Sequence, residues 1–266
     1  MRMADTGRVL FALSLALLGA FSLFLSGFGQ AWAMVPRWMP WHDTAAVISA
    51  VILFTGSIAL LAPRTARFAA LVLAVLLLLR LVLLHAHPVA AHPSVEGTWE
   101  ELSESLIFVA GAWTIYSMLE RKEGARPTLG NVRAGQIMFA LATLPIGLSH
   151  FVYLNMTAPL IPSWLPFHVP LAYFTGAAWI AAGLAILFGV LARLAATLVA
   201  IMVSLFTILV WIPVIVAAPA DRGNLSEICV SAAISGAAWA VAASLRDRSW
   251  TSVFRAPSLT PGRVRM

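Results

Sequence analysis

Three of the chain's six histidines, His85, His87 and His92, fall in one run, His85-Ala-His87-Pro88 through His92-Pro93. Imidazole suits Zn, Cu or Ni, so the run is a candidate metal site, although its spacing matches no recognised ligand motif. His42 and His168 close two similar stretches, Met34-Val-Pro-Arg-Trp-Met-Pro-Trp-His42 and Leu160-Ile-Pro-Ser-Trp-Leu-Pro-Phe-His168. They read as ligands or proton carriers, or as residues that cap the following helix beside interfacial aromatics. His150 precedes Tyr153 by three residues, which puts both on one helix face, either lining a quinone-sized cavity or packed in the core. Arg80 is the one basic residue inside an apolar run, and Glu101 and Glu104 open the next run. A charge at the bilayer centre costs at least ~2.5–3.5 kcal/mol, so Arg80 should face the bundle interior or snorkel to those acids. It reads as a contact for an anion or quinone headgroup, or as a structural ion pair. Glu101 recurs as Glu227; a helix dipole alone favours an acid there, and proton-linked carboxylates are the functional alternative.

Other chemistries lack their residues. The single cysteine, Cys229, excludes an intrachain disulfide and a Cys-x-x-Cys pair. A b-type haem needs two facing imidazoles within the membrane, and only His150 and His85 come near; no Fe–S motif is present. There is no nucleophile constellation, phosphate-binding glycine loop or zincin motif. No basic run with interleaved aromatics marks a nucleic-acid groove.

The elements that would position these residues are membrane helices. With 61% hydrophobic and 11% charged residues, the chain cannot cover a soluble surface, and the lipid bilayer is its first partner. Apolar length predicts eight spans, near 9–28, 44–62, 66–84, 101–119, 134–153, 171–188, 191–212 and 224–245. Arg2 and Arg8 ahead of a run ending Ala31-Trp-Ala33 also have the layout of a signal peptide. The run is long enough to span, and it matches the fifth span, which favours a retained helix. The stretches ending in His42 and His168 each hold two prolines, which forbid continuous helix. Pro36, Trp38, Pro40 and His42, and likewise Pro162, Trp164, Pro166 and His168, are therefore expected to form rigid interfacial connectors.

These connectors belong to a longer internal duplication. At the same offset of 126 residues, Ala66-Arg67-Phe-Ala-Ala70 matches Ala192-Arg193-Leu-Ala-Ala196, and Ala112-Trp113 matches Ala238-Trp239. The first span needs an offset of 128, which aligns Phe11-Ala-Leu13 with Phe139-Ala-Leu141. Four spans per repeat require the halves to share one orientation, as two four-helix bundles about a pseudo-twofold axis along the membrane normal. With both termini cytoplasmic, only Arg37 and Arg222 among the arginines outside the spans face outward, as the positive-inside rule demands. The histidines and most acids then collect at the outer face.

The second half carries Pro162-Ser-Trp-Leu-Pro166, Ala172-Tyr-Phe-Thr-Gly176, Ala182-Gly183 and Ala192-Arg-Leu-Ala-Ala196. In these it resembles the DoxX-like family of bacterial membrane proteins. The first half is a weaker copy, keeping Pro36, Trp38, Pro40, Thr55-Gly56 and Arg67. The resemblance implies a four-helix membrane bundle in the bacterial cytoplasmic membrane and an association with quinone-linked oxidoreductases. The expected organisation is a first repeat at 1–120, a charged linker at 121–133, a second repeat at 134–246 and a disordered tail at 247–266. The expected function is a redox-linked, quinone-associated subunit or accessory to a membrane or periplasmic oxidoreductase. A small-solute transporter or channel is the alternative, and a non-catalytic scaffold the third reading. The candidate ligand-binding residues are Arg80, Glu101, Glu104, His150, Tyr153, Trp164 and His168.

Overall fold

A computed structural model of the chain describes residues 3–25, 35–122 and 131–252. Most of the expected linker and tail lie outside the described residues. The eight long helices are α1 (Met3–Phe24), α2 (His42–Leu61), α3 (Ala66–Ala91), α4 (Glu96–Lys122), α5 (Val132–Val152), α6 (His168–Phe188), α7 (Ala192–Ala217) and α8 (Arg222–Ser244). There is no strand among the described residues. All eight are long and apolar enough to cross a membrane, so this is an all-α, multi-pass membrane protein whose surface contacts lipid.

Two spans run further than apolar length predicts. α3 continues past Leu84 through a π-helical turn, Val82–Ala86, and ends in the segment His87–Ala91, with Pro88 in its first turn. α7 does the same through Thr207–Trp211 and Ile212–Ala217, with Pro213 in the corresponding place. A proline near the start of a helical segment meets few committed backbone bonds, and the wider π turn absorbs its clash with the preceding turn. The run His85-Ala-His87 is therefore helical rather than loop. α4 also starts earlier, at Glu96, and its 27 residues reach about 40 Å at ~1.5 Å per residue, beyond a hydrocarbon core of ~30 Å.

The least apolar helices, α4, α5 and α8, are also the most buried, while α2 and α7 are the most exposed. Lipid accepts only apolar side chains, so the serines, threonines and glycines go inward. α4 and α8 meet at the centre, where the matched residues Gly111 and Ala237 face each other. Sequential helices pack as neighbours in both halves, but the first and last helices of one half meet only lightly, as where Gln136 of α5 donates to Ser244 of α8 at 2.9 Å. The first helix of each half packs chiefly on the last helix of the other: α1 on α8, and α5 on α4. Two glycines permit these approaches. A Cβ on Gly7 would lie 2.7 Å from the backbone of Ala240, and one on Gly135 would strike Thr114, the position matched to Ala240. The expected four-helix bundles are thus interlocked rather than self-contained.

Arginines close the second helix of each half. Arg8 Nη1 donates to the Leu60 carbonyl at 3.1 Å, and Arg133 donates to the Ile186 carbonyl at 2.9 Å and to that of Leu187. Carbonyls in a helix's last turn have no intrahelical donor, and a guanidinium supplies several.

The connectors repeat in three dimensions as well as in sequence. Trp41 (φ 56°) and Phe167 (φ 62°) both adopt the left-handed conformation immediately before α2 and α6. Their carbonyls accept from Ala45 and Leu171, each at 2.9 Å, and so start the helices. Upstream, Met39 N–H donates to Pro36 and Leu165 N–H to Pro162. Trp38, Trp41, Trp164 and Phe167 stand exposed, as aromatics at a membrane surface do.

Candidate functional site

The ends of α3 and α5 and the starts of α4 and α8 gather charge at the end of the molecule that carries the connectors. Glu96, Glu100 and Glu104 follow one another at four-residue spacing, which stacks them on one face of α4. Like charges at this spacing repel, so the stripe needs balancing charge from outside its own helix. Arg80 of α3 supplies one positive charge. It is buried, 8% exposed, and its Nη1 donates to Ser105 Oγ at 2.6 Å. Glu104 and, more weakly, Glu101 act on it electrostatically. Glu104 in turn lies in the field of Glu227, Glu100 and Glu101. The Arg80 guanidinium thus feels both acids through their fields, while its Nη1 hydrogen bond goes to Ser105.

His85 joins this cluster and its two neighbours do not. Its Nδ1 lies 3.8 Å from Glu101 Oε2, and its Nε2 is buried with no hydrogen-bond partner among the described residues. His87 and His92 are exposed. Residues two apart on a helix point to different sides, so His85 and His87 do not share a ligand. Among the described residues no group of three or more His, Cys, Asp or Glu could hold a metal ion. The expectation of a three-histidine metal site is corrected accordingly.

The sequence reading missed Glu96, Glu100 and Ser149 as parts of this site. Both Glu96 carboxyl oxygens are buried without a partner among the described residues. Glu100 of α4 lies near the buried Ser149 of α5, whose hydroxyl donates to the Ile146 carbonyl at 2.8 Å. The signal was present: a four-residue spacing of acids becomes a stripe once α4 begins at Glu96 instead of 101.

His150, Tyr153 and His168 are committed to three separate partners. His150 Nδ1–H donates to the Ile146 carbonyl of its own helix at 2.9 Å, and its Cβ packs by Gly176 of α6. Tyr153 sits past the end of α5, with φ −109° and ψ 44°, so the expected three-residue face is lost. Its hydroxyl accepts from Gly97 N–H at 3.0 Å and caps the start of α4. His168 Nε2–H donates to the Pro162 carbonyl at 3.2 Å, tying the second connector into a closed loop. His42 does no such thing: its Nδ1–H reaches exposed Asp43 at 3.0 Å.

Beneath the second connector lies an open groove of about 660 Å³, lined by Ala158, Trp164, His168, Leu209, Pro213 and Val214 among others. Its walls are mostly apolar, with an indole and an imidazole at one side. A second, smaller cavity of about 250 Å³ lies at the opposite end, between Leu119 of α4 and Val132 of α5. Compared with known proteins, the chain matches no family model, no curated protein and no solved structure.

Proposed function

We propose that this chain is a DoxX-like protein of the bacterial cytoplasmic membrane that binds a quinone-like amphiphile and serves as an accessory to a membrane or periplasmic oxidoreductase. The observation that carries this reading is the groove beneath the second connector. A volume of that order is typical of small-molecule sites, which pair apolar walls with a few polar groups. A flat ring would lie against Trp164 and the α7 wall, with His168 beside its polar edge. The link to redox partners rests on the motifs shared with the DoxX-like family. The connectors would face the periplasm and both termini the cytoplasm, a topology supported by the placement of the basic residues. The halves would be related by a pseudo-twofold axis along the membrane normal, supported by the meeting of Gly111 with Ala237.

The test is extraction of the purified protein followed by chromatographic assay for bound quinone, then titration with a short-chain ubiquinone. Near-stoichiometric binding, weakened by Leu209→Trp, which fills the groove, supports the proposal. Absence of binding, or binding indifferent to that substitution, rejects it.

A proton- or cation-linked small-solute carrier is the second reading, favoured by the charged cluster of Arg80, Glu96, Glu100 and Glu104. Acids within a membrane bundle commonly mark ion pathways. Loss of a measured solute flux on Glu104→Gln, with quinone binding unchanged, would favour this reading over the first.

A further inference from the structure

The cavity at the linker end differs from the connector-end sites in both size and charge. Asp5 and Arg8 of α1, Leu119, Val132, and Arg246 and Asp247 just past α8 form its wall. Asp5 lies 3.9 Å from Arg8, and Arg246 lies 3.6 Å from Asp247. The cavity therefore presents both signs of charge twice. Arg8 Nη1 is committed to the Leu60 carbonyl, while Nη2 lies 3.9 Å from Asp5, beyond hydrogen-bond reach, so its hydrogens can still meet a ligand.

We propose that this cavity binds a zwitterionic group carrying a primary ammonium and a phosphate. Guanidinium forks recognise phosphate oxygens in pairs, and an ammonium with three hydrogens suits an aspartate beside each arginine. A purely anionic ligand would meet two aspartates, and a purely cationic one two arginines; only a ligand of both signs complements the wall. Size narrows the class further. Sites for drug-sized ligands run to about 300–1,000 Å³, so about 250 Å³ suits a small headgroup. Leu119 and Val132 give the apolar side against which a glycerol stem would rest. The wall comes from α1, α4, α5 and the end of α8, the helices through which the halves interlock. A bound zwitterion thus spans the joint between the halves and stabilises the folded state by linkage. The same chemistry is offered by a phosphatidylethanolamine headgroup in the bilayer and by free phosphoethanolamine.

The full-length protein in detergent micelles is titrated with phosphatidylethanolamine, phosphatidylcholine, phosphatidylglycerol and water-soluble phosphoethanolamine, and thermal unfolding and affinity are read. Phosphatidylethanolamine or phosphoethanolamine is expected to bind about tenfold more tightly than the other two lipids, the scale of one charge-assisted hydrogen bond lost. Selectivity for the lipid alone assigns the bilayer as source; effective competition by phosphoethanolamine assigns a soluble ligand. The double variant Arg246→Gln/Asp247→Asn removes an exposed pair beyond α8 and is expected to erase the preference while leaving unliganded unfolding unchanged. Equal binding of phosphatidylcholine or phosphatidylglycerol by the wild type overturns the proposal, as does a preference that survives in the double variant. The lipid comparison on the wild type stands by itself if the variant does not fold.

Discussion

The seam between α3 and α4 and the seam between α7 and α8 share one backbone design and carry opposite chemistry. Each third helix has a π turn followed by a proline, and each fourth helix offers a serine, Ser105 or Ser231, at the matched place. In the first half that serine accepts from the Arg80 guanidinium. In the second it meets the Thr207 hydroxyl at 2.8 Å, and Ser204 links Ser235 and the Trp239 indole nearby. Phe206, Trp211 and Val230 stand where the first half has Arg80, His85 and Glu104. The scaffold tolerates either a charged or a hydroxyl seam, provided each polar group finds a partner inside the bundle.

Exchanging residues between the seams should have the largest effect. Arg80→Phe installs the second half's residue and leaves Glu104 without its opposite charge. Leaving a buried charge uncompensated in this way costs about 3–5 kcal/mol. Adding Glu104→Val removes the second charge and should recover more than half of that loss in reversible unfolding in micelles. A neutral single substitution would show that the charged seam is not a coupled unit.

Helix approach should come next. A Cβ on Gly147 would lie 2.7 Å from the Gly176 carbonyl, and one on Gly19, its mate at an offset of 128, would lie 2.8 Å from Phe54 N. Valine at either position should cost about 1–3 kcal/mol by overpacking. Similar losses in folded yield at both would confirm that the halves use one packing scheme; a loss at only one would break the equivalence.

The connectors should separate more gently. His168→Ala removes the tie to Pro162 and should cost about 1 kcal/mol, seen as faster proteolysis of the second connector. His42→Ala, which loses only an exposed pair with Asp43, should cost about 0.5 kcal/mol or less. The smallest change is expected for Thr207→Val, which deletes one interhelical hydroxyl bond worth roughly 0.6 kcal/mol, read from the same unfolding experiment.

The candidate site was legible in part. A lone arginine in an apolar run and the acids after it pointed to each other because an unpaired charge is intolerable in hydrocarbon. Glu96 and Glu100 fall outside the predicted span because apolar length sets its start at the first apolar turn, whereas α4 begins a full turn earlier. The histidine run misled for a related reason. Apolar length ends the third span at Leu84, but the π turn carries the helix on and turns His85 inward while His87 remains exposed. The linker-end cavity had no sequence signal, since its two charged pairs come from the opposite ends of the chain.

Composition and the apolar runs by themselves determined that the chain is helical and that it carries eight segments able to cross a membrane. Those are properties of transfer from water to lipid, which each segment satisfies alone. Only the tertiary structure decided that α1 packs on α8 and α5 on α4, that Tyr153 caps α4, and that the ends of the chain enclose a charged cavity. Polarity sends α4, α5 and α8 inward, but lipid tails are as apolar as a leucine side chain, so hydrophobicity cannot choose among helix partners. That choice falls to glycine-sized approaches and interhelical hydrogen bonds, whose pairing is fixed only when distant residues meet.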